Sequence, residues 1–307
     1  MCCANSDDDG EMTAMIELQG LTKRFGSTVA VDDLSASIGS GSVTAFLGPN
    51  GAGKTTTLRM LLGLVAPTAG TATIDGKRYC ELAEPVREVG ALLEASGFHP
   101  GRTAIDHLRG LAVAARLPPD APMRALAEVG LASDAKRKVG AFSLGMRQRL
   151  GFAAAILGEP RVLVLDEPSN GLDPQGIRWL RGYLRELADN GRTVFVSSHV
   201  LAEVEQIADK VLMIASGRVV RSSGLAELRA EAGVLTAVRS PEVDRLRALL
   251  EAAGYRVRAV AQDELVVDGR PEAVGELAAA QQIVLHRLFE TGGLEDVFIR
   301  LTRGDGS

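Results

Sequence analysis

The run Gly48-Pro49-Asn50-Gly51-Ala52-Gly53-Lys54-Thr55-Thr56 combines a pliable backbone with one ammonium and adjacent hydroxyls. Glycines let successive backbone N–H groups turn inward around an anion. A helix opening near Lys54 would add free N–H groups and the positive end of its dipole. The spacing G-x-x-x-x-G-K-[ST] is that of a phosphate cradle. In it Lys54 reaches the outer phosphates of a nucleotide, and the Thr55 hydroxyl is offered to Mg2+. The candidates for binding ATP are therefore Gly48 through Thr56. A chance glycine-rich turn is the competing reading. It is disfavoured because an apolar strand-like run, Val43 to Leu47, precedes the motif, and helical spacing of Leu58, Leu61 and Leu62 follows it.

A second run, Val162-Leu163-Val164-Leu165-Asp166-Glu167, reads as a buried strand that ends in two carboxylates. Asp166 is suited to hold Mg2+ through water, and Glu167 to orient and polarise an attacking water as general base. Alone, such a pair is usually a solvated strand end. In one chain with the cradle it points to hydrolysis of a nucleoside triphosphate.

These residues need a scaffold. Strands are expected at Ile16 to Leu18, Thr28 to Ile38, Val43 to Leu47, Val162 to Leu165 and Thr193 to Val196. Helices are expected at Lys54 to Leu64, Met146 to Leu157 and Gln175 to Ala188, the last opened by Pro174. Strand–helix alternation implies an α/β fold with a largely parallel sheet. Between about 95 and 159 the pattern is mostly helical, broken at Leu117-Pro118-Pro119-Asp120. A second unit is expected from Gly233. There Pro241-Glu242 and Pro271-Glu272 mark helix starts, and strand-like runs lie at Val234 to Val238, Tyr255 to Val260, Glu264 to Val267 and Ile283 to Leu288. A small α/β sandwich with a closing helix, Leu294 to Leu301, fits that pattern.

Phe142-Ser143-Leu144-Gly145-Met146-Arg147-Gln148-Arg149 resembles the signature of the ATP-binding cassette (ABC) ATPases, commonly LSGGQ followed by a helix. The resemblance covers about residues 15–232. It implies a P-loop NTPase with a RecA-like core, an antiparallel β part and a helical lobe near 95–159 that docks a permease. By this resemblance Ser143, Leu144, Gly145 and Met146 contact ATP bound on an opposite subunit. Ser143 could equally be a plain helix cap, which is compatible with an anion site. Ser169-Asn170-Gly171-Leu172-Asp173 looks like the D-loop, with Asp173 at the dimer interface. His199 matches the switch histidine at the γ-phosphate, and Phe25 the aromatic residue that stacks on adenine.

The sequence departs from the family pattern in places. The position aligned with the usual Q-loop glutamine is Glu94, which could still approach Mg2+ and the water but adds negative charge. Leu144 replaces a glycine of the signature and Met146 its glutamine. These departures, the SLGMRQRL and SNGLDP runs and the C-terminal LEDVFIRLT together resemble one branch of bacterial exporters, the bacitracin-resistance and daunorubicin-resistance type ATPases.

Composition narrows the class. The chain has 307 residues, 46% apolar and 24% charged, with net charge −5. That is the profile of a globular protein without a basic surplus, so no nucleic-acid partner is expected. Cys2, Cys3 and Cys80 form no CxxC pair, and no Cys/His cluster has metal spacing. Residues 1–14 and 304–307 read as disordered tails, leaving 233–303 as an accessory domain. No span of roughly 20 predominantly apolar residues occurs, as a membrane helix would need. The expectation is an ATP- and Mg2+-dependent exporter subunit at the cytoplasmic face of the membrane. It would work as a head-to-tail dimer of two copies on a separate polytopic permease. An import ATPase, or a soluble ABC ATPase acting on nucleic acid or ribosomes, is the alternative.

Overall fold

The computed structural model describes residues 14–93, 97–291 and 298. The chain separates into two compact units, divided between Ser222 and Ser223.

The first unit opens with β1 (Ala14–Phe25), β2 (Thr28–Gly39) and β3 (Val43–Leu47), then α1 (Lys54–Leu61) and β4 (Ala69–Ile74). A short α2 (Pro85–Glu88) and β5 (Val89–Leu92) lead to three helices, α3 (Ala104–Ala114), α4 (Ala121–Glu128) and α5 (Leu144–Ile156). Then follow β6 (Val162–Asp166), α6 (Pro174–Asp189), β7 (Thr193–Ser198), α7 (Leu201–Ile207), β8 (Lys210–Ala215) and β9 (Arg218–Gly224).

Two sheets form from these strands. β2-β1-β4 is antiparallel. The larger sheet has the order β5-β6-β7-β3-β8-β9, and its first five strands run parallel. Every residue of β3, β6 and β7 is buried. Strands covered on both faces read as continuous apolar runs, which is why VTAFL and VLVLD show no alternation. Between the sheets a core gathers Ile16, Leu18, Leu34, Phe46, Leu58 and Phe195, all within 2% of complete burial.

Strand order does the positioning. β7 lies between β6 and β3, so the loops that follow these three strands emerge side by side at one sheet edge. This is the carboxyl-end crevice where ligands bind in open α/β sheets.

The helical middle is realised as α3, α4 and α5. α4 was hidden in the sequence because Pro118, Pro119 and Pro122 crowd its start; Pro122 sits in the first turn, where a missing N–H costs nothing. β4 and β5 were also unread, being short and interrupted by Gly70 and Gly90. α5 begins two residues earlier than expected, because Ser143 caps it by accepting from the Met146 N–H.

The second unit contains α8 (Leu225–Ala232), β10 (Leu235–Arg239), α9 (Val243–Ala252), β11 (Val257–Ala261), β12 (Glu264–Asp268), α10 (Pro271–Ala280) and β13 (Arg287–Thr291). After α8 this is a βαββαβ arrangement with an antiparallel sheet ordered β11-β12-β10-β13, the ferredoxin-like pattern. Val238, Leu246, Leu250, Leu265, Val267 and Val274 form its core. Gly233, expected to mark the boundary, caps the C-terminus of α8 at φ 69°. Pro241 precedes α9 and does not open it; Glu242 is the N-cap residue. The last strand starts at Arg287, and Ile283 turns instead into the core. The closing helix expected at Leu294 to Leu301 lies outside the described residues, Phe298 excepted.

Candidate active site

The cradle follows β3 and leads straight into α1. Gly53 stands at φ 103°, where a Cβ would come within 2.5 Å of the Ala30 carbonyl oxygen. At Gly48 a Cβ would lie 2.6 Å from the Ile214 carbonyl oxygen. Only glycine allows the backbone to pass so close at these two positions. The first N–H groups of α1 have no intrahelical partner, which is what an anion site uses.

Lys54 is 6% exposed. Its Nζ donates to the carbonyl oxygens of Gly48 at 2.7 Å and Pro49 at 3.3 Å. The same ammonium faces Glu167 Oε1 at 3.3 Å. That oxygen is buried and accepts no hydrogen bond.

Thr55 Oγ1 donates to Asp166 Oδ2 at 2.7 Å, and Ser197 Oγ donates to Asp166 Oδ1 at 2.5 Å. Glu167 then leaves the strand with φ 47°. Left-handed backbone is costly for a residue with a Cβ and persists only where its surroundings enforce it. Here the enforcing contact is the Glu167 N–H bonded to Ser197 Oγ at 2.9 Å. Glu167 Oε2 meets His199 Nδ1 at 2.8 Å. Lys54, Thr55, Asp166, Glu167 and His199 therefore converge from the ends of β3, β6 and β7.

A cleft of about 540 Å3 opens here, lined by Thr55, Leu92, Arg147, Gln148, Asp166 and Glu167 among others. Its chemistry suits a hard cation held together with a polyphosphate. A hydroxyl and a carboxylate stand side by side, and an ammonium waits at the end of a glycine cradle. Among the described residues no group of three or more His, Cys, Asp or Glu side chains could hold a metal ion. A cation bound through Thr55 and Asp166 would thus draw further oxygen ligands from water and phosphate, as Mg2+ does.

A second cleft, also about 540 Å3, is lined by Ser143, Leu144, Gly145, Met146, Arg149 and Asp173 among others. Ser143 and Asp173 both cap helices: Asp173 Oδ1 accepts from the Gly176 N–H at 2.7 Å to open α6. Arg137 reaches Met146 Sδ at 3.8 Å. Leu144 and Gly171 line both clefts and connect them, and Asn170 lines the first. Phe25 is 52% exposed at the tip of the β1–β2 hairpin, with the Lys23 ammonium 5.0 Å over its ring. The hairpin's Ala30 is the residue that abuts Gly53, so this tip flanks the cradle. Glu94 lies outside the described residues.

Sequence reading missed Ser197, Gln148, Arg147 and Glu203. Ser197 had a signal, since two serines close an otherwise apolar strand. Gln148 is 4% exposed and donates to the Pro168 carbonyl at 2.8 Å. Arg147 brings a guanidinium to the cleft whose Nε is buried and unpartnered. Glu203 accepts from Ser169 Oγ at 2.5 Å.

The ABC transporter family model matches residues 31–170, and a domain of unknown function, DUF8746, matches 234–295. The bacitracin transport ATP-binding protein BcrA of Enterococcus faecalis is 36% identical over 303 residues, covering 96% of this chain and 98% of that protein. The lantibiotic transport ATP-binding protein SrtF of Streptococcus pyogenes is 36% identical over 206 residues, covering 67% and 89%. A solved ATP-binding subunit of an ABC transporter superposes with a TM-score of 0.64 at 29% identity, covering 71% of this chain and 92% of that one. The chain belongs to the ATP-binding proteins of the ABC transporters, and its activity is ATP hydrolysis coupled to transport.

Proposed function

We propose that this chain drives an exporter whose membrane-spanning part is another polypeptide, and that its cargo is a drug, a peptide or a lipid-like molecule. The observation that carries this reading is the likeness to a bacitracin transport ATP-binding protein along 96% of the chain, second unit included. The exporter-type wording of the signature and D-loop runs supports it. Among the described residues no helix is long and apolar enough to cross a membrane. Attachment is assigned to the helical lobe, where Leu111 and Val113 of α3 and Met123 of α4 are exposed apolar side chains. On this reading the chain works at the cytoplasmic face of the membrane, bound through its partner.

In the cycle proposed here the glycine cradle and the start of α1 bind the phosphates of ATP, and Lys54 neutralises them. Its 3.3 Å approach to Glu167 then gives way to phosphate oxygens. Thr55 and Asp166 are the residues that would hold Mg2+, which would draw off charge developing on the transferred phosphoryl group. Glu167 accepts a proton from the attacking water. His199 holds the second carboxylate oxygen at 2.8 Å and fixes the direction of the first. Phe25 stacks on the adenine. Ser143, Leu144, Gly145 and Met146 of a second copy close over the nucleotide, so each site takes its cradle from one chain and its signature from the other.

The reading is tested by tagging the full chain, expressing it in its native cell and extracting membranes in mild detergent. A stoichiometric polytopic membrane protein should co-purify. Recovery with ribosomes, nucleic acid or soluble proteins alone would overturn the exporter assignment and leave the ATPase.

A further inference from the structure

The loop from Glu167 to Asp173 is gripped from two sides. On one side Ser197 holds the Glu167 N–H at 2.9 Å and Glu203 holds Ser169 Oγ at 2.5 Å. On the other side stands α5. Leu144 and Gln148 are four residues apart and so share one helix face. Gln148 anchors the Pro168 carbonyl at 2.8 Å. Leu144 fills the space above Gly171, where a Cβ would stand 2.2 Å from Leu144 Cδ2 and 2.7 Å from its Cγ. The next residues repeat the contact: a Cβ on Gly145 would meet Leu172 Cδ2 at 3.7 Å.

Gly171 thus leaves a socket that the Leu144 side chain occupies. Leu144 is nonetheless 56% exposed, so its burial adds little to stability. Both residues line both clefts, the one holding Thr55, Asp166 and Glu167 and the one holding Ser143 and Gly145. Leu144 also stands where the family signature commonly has glycine, which could make no such contact.

We propose that the Leu144–Gly171 socket, backed by Gln148, is a positioning device that couples the two ends of this chain's part in hydrolysis. It would transmit the position of the Glu167 loop, which serves the chain's own nucleotide, to the start of α5, which serves the nucleotide of the second copy. The proposal rests on the composite-site reading above. Leu144 belongs to the segment that closes over the second copy's nucleotide, and the further part assigned to it here is positioning, through its contact with the D-loop. Closely packed side chains are where such coupling is carried, because a packed contact shifts between discrete arrangements and does not deform smoothly.

The test is steady-state ATP turnover of the full chain against ATP concentration, for the native protein, Leu144→Ala, Gly171→Ala and the double variant. Native turnover should be cooperative, with a Hill coefficient approaching that of two coupled sites. Leu144→Ala should lower kcat and bring the Hill coefficient towards one, while its melting midpoint stays near native, as for an exposed substitution. Gly171→Ala should lower kcat further, since the methyl collides with Leu144 and the φ of +79° strains any L side chain. The double variant should exceed Gly171→Ala, with a departure from multiplicative effects of about 2- to 100-fold, the range for residues in contact.

Native kcat and Hill coefficient in Leu144→Ala would overturn the socket, and so would purely multiplicative effects in the double variant. If Gly171→Ala fails to fold, Leu144→Ala decides alone. A native chain without cooperativity, whose Glu167→Gln variant forms no ATP-dependent dimer, would overturn the composite site itself. A dimer that forms and hydrolyses cooperatively while Leu144→Ala behaves as native would leave the site standing and remove only the socket.

Discussion

Glu167 sits in left-handed backbone between three constraints: the Ser197 hydroxyl on its N–H, Lys54 on one carboxylate oxygen and His199 on the other. In the proposed cycle its identity matters for proton acceptance, while its position is fixed by neighbours. Glu167→Gln keeps the shape but turns one accepting oxygen into a donating amide, and in the proposed cycle it loses the base. Turnover should therefore fall by about 10²- to 10⁴-fold, the scale of general acid–base catalysis, with ATP affinity retained. Single-turnover kinetics and nucleotide-binding titration separate the two effects; a variant with native kcat would remove Glu167 from the chemistry. Lys54→Ala should do the opposite and weaken ATP binding itself, because it removes the buried ammonium at the end of the glycine cradle. Unchanged affinity in an equilibrium titration would refute that role. Much of this was legible in residue types: a lysine after glycines and two acids after an apolar strand have few other uses together. Ser197 and Gln148 were not legible, because a hydroxyl or amide gains its meaning from the strand or loop beside it in space.

Elements hold the second cleft in shape. α5 and α6 meet through a ladder of rings: Phe152 lies edge-on to Trp179 at 5.8 Å, and Trp179 stacks on Tyr183 at 5.4 Å. Arg149 covers the Trp179 ring at 4.6 Å, and Tyr183 donates to Glu128 Oε1 at 2.8 Å. Burial and the adjacent Glu128 carboxylate push the Tyr183 hydroxyl well above its ordinary range, so it remains a donor at all working pH values. Tyr183→Phe should cost about 1–2 kcal/mol, the net value of a hydrogen bond to a charged group discounted for the exposed carboxylate. Urea midpoints measure this, and an unchanged midpoint would show the bond contributes nothing.

α3 carries a pH-dependent element. Burial and the neighbouring Arg102 lower the His107 pKa from 6.5, and Phe98 packs edge-on to its ring at 5.0 Å. The folded chain thus prefers neutral His107. Its full contribution to stability is present above pH 6.5 and diminishes as pH falls from there towards the lower folded-state pKa. Unfolding midpoints at several pH values should show this decline, and His107→Phe should flatten it. An equal slope in that variant would assign the effect elsewhere. Strand and helix runs around the site were legible because buried parallel strands and a proline-opened helix have strong patterns. α4, β4 and β5 escaped because their prolines and glycines, read locally, signal breaks, and only packing shows that the chain continues through them.

At the scale of the molecule, the placing of Lys54 against the glycine cradle and of Ser143 in the second cleft has a consequence for assembly. If both residues served one nucleotide within a chain, damage to either would be repaired by no other chain. In a head-to-tail pair each nucleotide takes Lys54 from one copy and Ser143 from the other. A dimer of Lys54→Ala chains then has two damaged sites, and so does a dimer of Ser143→Ala chains. A mixed dimer concentrates both lesions in one site and leaves the other native. Symmetric pairing of equal amounts makes about half the dimers mixed, so a mixture of two weak variants should regain up to about a quarter of native turnover. Coupling between the sites lowers that ceiling, and adding Leu144→Ala to both chains should raise the recovered fraction relative to an unmixed Leu144→Ala control. ATP turnover after co-expression, with each variant alone as baseline, reads this directly. A mixture no more active than its components, both with and without Leu144→Ala, would remove the composite site and, with it, the reason for two clefts joined by Leu144 and Gly171.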